Sequence, residues 1–171
     1  NTAVGANAQA HANLQSRGNS RAASWHYQVD DKVAIQSFED DAQCWHASDG
    51  KGDGNLNSIA IEICINLDGN YKKSVENGAK LTKYLMDKYN IPIENVKQHY
   101  DWYPKNCPAQ IRAGKEGITW AKFLDMVKGS PVKKTEELLR VQLGAFGNKN
   151  NADNLLAKAK KHWKDAFMIK E

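Results

Sequence analysis

The segment at residues 58–66 limits the possible folds of this chain more than any other. Isoleucine occupies every second position there, at 59, 61, 63 and 65, and alternates strictly with Ala60, Glu62 and Cys64. Because successive side chains of a strand point to opposite faces, the four isoleucines share one face. We therefore predict a strand whose isoleucine face covers a core and whose opposite face carries Glu62.

Other patterned segments predict the elements around this strand. Strands are expected at 25–29 and 32–38, joined through Asp30-Asp31 as a tight hairpin. The Gly/Asp/Asn-rich stretch at 48–57 is expected to be a loop. Helical patterns, one of them small and polar and two amphipathic, lie at 6–16, 74–89 and 119–128. Strands and helices mixed in this order predict an α/β domain, with a mixed β-sheet flanked by helices.

Gly129-Ser130-Pro131 marks the clearest break in the chain, because glycine and proline there end the last amphipathic helix. We predict a main domain at 1–128, a linker at 129–136 and a separate module at 137–171. The module is expected to be a small basic β-α-β unit, with strands at 138–146 and 166–169 around a helix at 150–162. A unit of about 35 residues hardly buries a core alone. It would therefore need a second copy, a partner chain or the main domain to pack against, and oligomerisation through this module is one alternative.

The tail also carries the whole net charge. Residues 131–171 contain nine Lys or Arg against five Asp or Glu, whereas residues 1–130 contain fifteen of each, so the total of +4 lies in the tail. This excess indicates docking to a polyanion such as nucleic acid, a membrane surface or wall teichoic acid, and a solvated helix face is the alternative. Interleaved aromatics and nucleic-acid-binding motifs are missing, so we expect no nucleic-acid partner. No apolar run approaches the roughly 20 residues that a membrane-spanning helix needs, so no membrane span is expected.

Four residues carry the candidate chemistry. His99 and Cys107 lie eight positions apart in a proline-stiffened segment and could converge on one zinc ion, although such a pair also occurs without metal. Lys105 could stabilise the oxyanion formed when an amide is attacked, and otherwise it is an ordinary loop lysine. Glu62 would be the general base of a zinc hydrolase, and otherwise a solvent-exposed strand residue. Cys44 and Cys64 are expected to be small buried residues.

The H-x5-K-x-C motif from His99 to Cys107, with Ile-Glu on a strand upstream, resembles the zinc amidases related to phage lysozyme and the peptidoglycan recognition proteins. Four further stretches fit the same family in its order, namely Asn1-Thr2, Ser-Trp-His-Tyr at 24–27, Trp-His-Ala at 45–47 and Asn-Ser-Ile-Ala-Ile-Glu at 57–62. The likeness covers roughly residues 1–128. It implies a peptidoglycan recognition protein-like amidase fold.

The resemblance also implies N-acetylmuramoyl-L-alanine amidase activity with Zn²⁺ as the cofactor and bacterial peptidoglycan as the partner. His99 and Cys107 would be zinc ligands, Glu62 the catalytic acid/base that works on a zinc-activated water, and Lys105 the residue that stabilises the transition state. The expected place of action is the cell wall, outside the cell after release or secretion, as for an endolysin or autolysin. The alternative is a peptidoglycan-binding protein of the same fold that does not cut.

Three further residues are implied to line the substrate cleft, namely Trp25, His26 and His46. For His26 and His46, a histidine that is hydrogen-bonded within the sheet or loop is an equal alternative. In the family the first zinc ligand is a histidine followed directly by Asn-Thr, which here would precede Asn1. Either the sequence lacks its natural start, or the site has two ligands and binds zinc weakly. We favour the first interpretation, because loss of a core strand would uncover a sheet edge.

The tail segment Val-Gln-Leu-Gly-Ala-Phe at 141–146, followed by Asn-Lys-x-Asn-Ala, is similar to half of a sporulation-related (SPOR-type) repeat. This resemblance implies a module that binds cell-wall glycan. The basic charge of the tail fits contacts with wall polyanions. A plain packing module is the alternative interpretation.

Overall fold

A computed structural model describes residues 3–18 and 22–129, together with residues 150, 153, 154 and 156–158 of the tail. The predicted linker and most of the predicted module at 137–171 therefore lie outside the described residues. The described residues of the tail are helical and fall within the helix predicted at 150–162. No helix in the described part of the chain is long and apolar enough to cross a membrane.

The described main domain alternates short strands with helices. Its elements in chain order are α1 (Ala8–Ser16), β1 (Tyr27–Val29), β2 (Ala34–Gln36), α2 (Asp53–Leu56), β3 (Ile61–Ile63), α3 (Tyr71–Tyr89), α4 (His99–Trp102), α5 (Ala109–Arg112) and α6 (Trp120–Gly129), with 3₁₀ turns at Ile93–Asn95 and Lys115–Gly117. The three strands predicted in the main domain, at 25–29, 32–38 and 58–66, are present but shorter than expected. The short helix α2 replaces part of the loop predicted at 48–57, which corrects that prediction.

The sheet is mixed, as the sequence predicts. β1 is its central strand and pairs antiparallel with β2, with Val29 opposite Ala34. On its other side β1 pairs parallel with β3, so that Gln28 lies opposite Glu62. The predicted hairpin and the predicted isoleucine strand are therefore neighbours in one sheet.

Asp30 holds the hairpin turn together. Its Oδ1 accepts hydrogen bonds from the backbone N–H groups of Lys32 and Val33, each at 2.8 Å. Its Oδ2 accepts from the backbone N–H of Ala8 at 2.9 Å, at the first turn of α1. An aspartate that bonds to the backbone two and three residues further on is a common way to stabilise a tight turn. One carboxylate thus fixes both the hairpin and the start of a helix.

Helix α3 begins three residues before the predicted start at 74. The Asn70 side chain caps it by accepting from the Lys73 N–H at 2.9 Å. Asn90 ends the helix in the left-handed conformation, with φ of 54°. The predicted helix at 119–128 is observed as α6, one residue displaced at each end.

The core lies between the sheet and α3, and continues between α3 and α6. The isoleucine face of β3 packs on this side, because Ile59, Ile61 and Ile63 contact the cluster that includes Leu81 and Leu85 of α3. Gly78 allows this approach, since a Cβ there would lie 2.7 Å from Cδ1 of Ile63. Cys64 lies on the opposite face, buried with Ala8 and Ile35 beneath α1. The predicted orientation of the isoleucines is confirmed, and Glu62 shares the face of Cys64.

Candidate active site

The segment after α4 folds back on that helix and brings His99 and Cys107 close together. The backbone N–H of Tyr100 donates to the carbonyl oxygen of Cys107 at 3.1 Å, next to His99 in the first turn of α4. Two short backbone bonds tighten the intervening loop, from Lys105 N–H to the Tyr103 carbonyl at 2.6 Å and from Cys107 N–H to the Lys105 carbonyl at 2.7 Å. The H-x5-K-x-C motif therefore folds into one compact backbone turn, which carries the three candidate residues His99, Lys105 and Cys107.

Arg112 of α5 supports this turn from outside. Its Nε donates to Oδ1 of Asn106 at 3.0 Å, and its guanidinium lies over the ring of Tyr100 at 3.6 Å from the ring centroid. A guanidinium stacked on an aromatic face is attracted by the ring quadrupole. Arg112 thereby connects Tyr100 in α4 with Asn106, the residue directly before Cys107.

Glu62 is solvent-exposed on the edge strand β3. Burial nevertheless raises the pKa of its carboxyl group, while the positive charge of Lys105 acts in the opposite direction. Glu62 thus combines solvent-accessible surface with surroundings that disfavour ionisation of its carboxyl group. Such a position suits a general base, because a raised pKa makes a carboxylate a better proton acceptor.

Lys105 acts on the other two residues of its turn as well. Burial lowers the pKa of His99, and the charge of Lys105 lowers it further. Burial and the charge of Glu62 raise the pKa of the Cys107 thiol, whereas Lys105 lowers it. Lys105 thus lies within electrostatic reach of Glu62, His99 and Cys107, and Glu62 lies within reach of Cys107.

His46 lies beside this group. Burial, followed by the charges of His26 and His99, lowers the pKa of His46 to about 4, so its ring is neutral at pH 7. The ring makes a hydrogen bond to the backbone of Ser58, and its buried Nε2 has no hydrogen-bond partner in the described part of the chain. An unsatisfied buried nitrogen beside a candidate catalytic group is suited to accept a hydrogen bond from a ligand.

Trp25 and His26 are placed differently from His46. His26 is fully buried, its Nε2 lies 2.8 Å from the Ala42 carbonyl oxygen, and its Nδ1 accepts from the Ala60 N–H at 3.0 Å. Both ring nitrogens are used, which favours the hydrogen-bonded structural role that the sequence left open. Trp25 is 7% exposed and its indole N–H donates to Gln28. The structure does not bring these two side chains to the surface of the site, because both are used in packing the sheet.

The loop between β2 and β3 supplies supporting contacts near the candidate site that sequence patterns did not reveal. Oδ1 of Asn55 accepts from the N–H groups of His46 and Ala47, each at 2.8 Å, and Asp49 accepts from the Gly54 N–H at 2.7 Å. Oγ of Ser48 lies 3.0 Å from Nε2 of His99. The only local signal was the run of Asp, Asn and Gly after Trp-His-Ala, which predicts turns but not their distant partners.

A catalytic zinc ion takes three protein ligands from His, Cys and carboxylate side chains. His99 and Cys107 are of suitable types, and both are partly buried. In the part of the chain that the structure describes, no group of three or more His, Cys, Asp or Glu side chains could hold one ion. His99 and Cys107 are thus two donors of the types that zinc takes, and Asn1 and Thr2 lie outside the described residues.

Comparison with known proteins finds similar N-acetylmuramoyl-L-alanine amidases. The family model Amidase_2, described as N-acetylmuramoyl-L-alanine amidase, matches residues 1–110. The N-acetylmuramoyl-L-alanine amidase CwlH of Bacillus subtilis (strain 168) is 41% identical over 138 residues, which cover 79% of this chain and 53% of CwlH. The amidase XlyA of the same organism is 44% identical over 123 residues, which cover 72% of this chain and 39% of XlyA.

Solved structures agree with the sequence comparison. The catalytic domain of XlyA superposes with a TM-score of 0.69 at 41% identity, covering 74% of this chain and 79% of that domain. A mutant endolysin from Bacillus subtilis matches with a TM-score of 0.68 at 42% identity and the same coverage. The chain spans about half or less of the length of CwlH and XlyA. Because the family model matches well over half of the chain, and related structures share its fold, the chain belongs to the N-acetylmuramoyl-L-alanine amidase family.

Proposed function

We propose that this chain hydrolyses the amide bond between N-acetylmuramic acid and L-alanine in bacterial peptidoglycan. The observation that carries the proposal is the shared influence of Lys105, whose charge acts on Glu62, His99 and Cys107 together. One turn and one strand thus combine a proton acceptor, a cation and two metal-type donors. Membership of the amidase family supports the choice of an amide substrate in the cell wall.

Glu62 is the proposed general acid/base. Its carboxyl group is accessible to solvent, and burial raises its pKa toward the range in which a carboxylate takes up and returns a proton. During attack on an amide, the group would first accept a proton from water and then deliver a proton to the leaving nitrogen. A fixed position on a strand favours this role, since the backbone beside Glu62 is paired with β1.

Lys105 is the proposed stabiliser of the developing oxyanion. Its side chain is exposed, and its backbone is held by the short bonds of the 103–107 turn. A positioned cation beside the developing negative charge lowers the barrier more than it stabilises the neutral amide. His46 is proposed to accept a hydrogen bond from the substrate through its unsatisfied Nε2.

His99 and Cys107 would hold zinc, together with a third ligand that the described residues do not supply. When bound, zinc acts as a Lewis acid that lowers the pKa of water and polarises a carbonyl group. The neutral state of His99, favoured by burial and by Lys105, leaves one ring nitrogen with a free lone pair for such a role. Cys107 would bind as the thiolate, so that zinc binding should release a proton.

The tail at 137–171 is proposed to bind the cell wall as a SPOR-like module, with its basic charge contacting wall polyanions. The support is its sequence resemblance and its seven basic residues against four acidic ones. Action at the wall, as an endolysin or an autolysin, follows from this proposal. Removal of the tail should then reduce pelleting of the protein with purified walls, and salt should have the same effect.

Product analysis of purified Gram-positive peptidoglycan tests the proposed reaction. The protein is incubated with walls and zinc, and new alanine amino termini are counted against new reducing sugar ends. We expect alanine termini alone, with a rate reduced about 10²- to 10⁴-fold in Glu62→Gln. Glu94→Gln, which changes an exposed glutamate in a 3₁₀ turn, is the matched control and should keep full activity.

Each other outcome has a defined meaning. New reducing sugar ends would show glycosidase activity and would contradict the proposed amidase activity. Absence of both products, with the protein still pelleting with the walls, would favour the non-catalytic peptidoglycan-binding alternative.

A further inference from the structure

Ser48, which contacts His99, has an unusual backbone conformation. Its φ is +62°, in the left-handed region that residues with a Cβ rarely adopt. From this conformation its Oγ reaches Nε2 of His99 at 3.0 Å, across 51 positions of sequence. Holding a non-glycine residue there costs conformational free energy. Such strain persists when the surrounding structure requires it, and it is often found at functional sites.

The surrounding loop is locked on both sides of Ser48. Asn55 is 3% exposed and accepts from the N–H groups of His46 and Ala47. Asp49 accepts from the N–H groups of Gly54 at 2.7 Å and of Asn55 at 3.2 Å. The backbone before and after Ser48 is therefore fixed by two side chains of the same loop.

The loop is also packed closely against α4, the helix that begins with His99. A Cβ on Gly54 would lie 2.4 Å from Cβ of Ala47 and 2.9 Å from Cδ2 of Trp102. The backbone of Ala47 makes a further hydrogen bond to the His99 ring. Two consecutive residues of the loop, Ala47 and Ser48, thus contact the same imidazole.

We propose that Ser48 is a positioning residue that fixes the tautomer and orientation of His99. In this arrangement Nε2 of His99 carries the ring proton and donates a hydrogen bond to Ser48 and the Ala47 backbone. Nδ1 of His99 therefore keeps its lone pair. A metal-ligating histidine generally donates its other N–H to a protein acceptor, which fixes the ring and raises its basicity. The inference rests on the proposed function in one respect, because it assigns Nδ1 of His99 as the nitrogen offered to zinc.

Two substitutions separate this role from a merely structural one. Ser48→Ala removes the hydroxyl and keeps the strained Cβ, whereas Ser48→Gly removes both. If Ser48 acts only on the backbone, Ser48→Gly should stabilise the protein and leave the site unchanged. If Ser48 orients His99, both variants should lose zinc affinity to a similar extent, about 10- to 100-fold, although Ser48→Gly relieves the strain.

The matched control is Glu116→Gly. Glu116 also has a positive φ, of 55°, but lies in the 3₁₀ turn Lys115–Gly117, away from His99. This variant should gain stability as Ser48→Gly does, with no change in zinc affinity. Stability is measured by urea unfolding of the metal-free proteins, and zinc affinity by competition with a coloured chelator.

The deciding measurement is ¹⁵N NMR of the His99 ring in the metal-free protein at neutral pH. We expect the wild type to show protonated Nε2 and unprotonated Nδ1, and both Ser48 variants to show a mixture of tautomers. A wild-type ring protonated at Nδ1, or a ring unchanged in both variants, would overturn the inference. If the ring responds but walls are not cut, the proposed function fails while the role of Ser48 stands. If walls are cut and neither variant alters the tautomer of the His99 ring, the role of Ser48 fails while the proposed function stands.

Discussion

The Tyr27 hydroxyl donates a hydrogen bond to Oδ1 of Asp40, joining the central strand to the loop after β2. The other carboxylate oxygen of Asp40 accepts from Nζ of Lys88 at 2.7 Å and from the Tyr89 hydroxyl. Burial alone would raise the pKa of Asp40, but the hydrogen bonds from Lys88, Tyr27 and Tyr89 together hold it below its usual value. One ionised carboxylate therefore connects the sheet to the C-terminal end of α3.

Substitution of Asp40 should destabilise the fold without altering the candidate site. We expect Asp40→Asn to lower the free energy of unfolding by about 1–3 kcal/mol at pH 7, because Lys88 and two tyrosines lose a charged acceptor. Since the folded pKa of Asp40 is depressed, its contribution is complete above the usual value near 3.8 and is lost as the pH falls through the folded pKa. Urea unfolding of both proteins between pH 2 and 7 measures the difference, which should disappear at the acid end. Asp87→Asn, in an exposed ion pair with Lys83, is the control and should change stability by less than about 1 kcal/mol.

Removal of the Lys105 charge should change both the rate and the pH dependence of amide cleavage. We expect Lys105→Gln to lower kcat by about 10²- to 10³-fold, as for loss of one oxyanion-stabilising group. The lysine lowers the pKa of Glu62, so its loss should raise that pKa further. Because a general base works when ionised, the acid limb of the kcat/KM profile should move to higher pH. The control is Lys97→Gln, at an exposed position before α4, which should leave the acid limb of the profile in place. An acid limb that does not move in Lys105→Gln would exclude Glu62 as the titrating base.

A methyl group at Gly54 should disturb the candidate site through its supporting loop. The added Cβ would lie 2.4 Å from Cβ of Ala47, 2.8 Å from Oδ2 of Asp49 and 2.9 Å from Cδ2 of Trp102. We expect Gly54→Ala to cost about 1–3 kcal/mol of stability, as overpacking generally does, and to reduce cleavage of walls. Thermal unfolding and the alanine-terminus assay give the two results. Gly129→Ala, where a Cβ meets open space at the end of α6, should be neutral in both.

The third zinc ligand implied by the family resemblance can be tested at the first residue. We expect a variant with histidine added directly before Asn1 to bind zinc at least about tenfold more tightly than one with alanine added there, a difference of about 1.4 kcal/mol. Isothermal titration with zinc compares the two proteins. Cys107→Ser in the histidine variant should abolish the gain, because the three ligands act as one set. Equal affinities in the histidine and alanine variants would remove this position from the ligand set.

The sequence predicts the sheet well because its signals are local. The two-residue period at 58–66 places the isoleucines toward α3 and Glu62 with Cys64 on the other face, as observed. Asp30 predicts the hairpin because its turn-stabilising bonds span only two and three residues. The H-x5-K-x-C turn closes within nine residues, so its close approach is also encoded locally.

Interactions between distant segments could not be predicted in this way. His26 bonds to Ala42 and Ala60, which are 16 and 34 positions away, and no periodicity indicates either partner. Helix α2 was missed because Gly and Asn within it have low helical propensity, and the Asp49 carboxylate that satisfies its first N–H groups belongs to the preceding turn. Ser48 was missed for the same reason as His26, since its partner His99 is 51 positions away.

The position of Asp30 has a consequence for how the domain opens and closes in solution. Its carboxylate is almost fully buried, and it bonds to Ala8 in α1 while its carbonyl oxygen accepts from the Asn77 side chain in α3 at 2.9 Å. If α1 detached by itself, Oδ2 of Asp30 would lose its partner inside the protein, which makes separate fraying of that helix unfavourable. The amides of α1 should consequently exchange their hydrogens together with those of the hairpin, as one cooperative unit rather than as an independent surface helix.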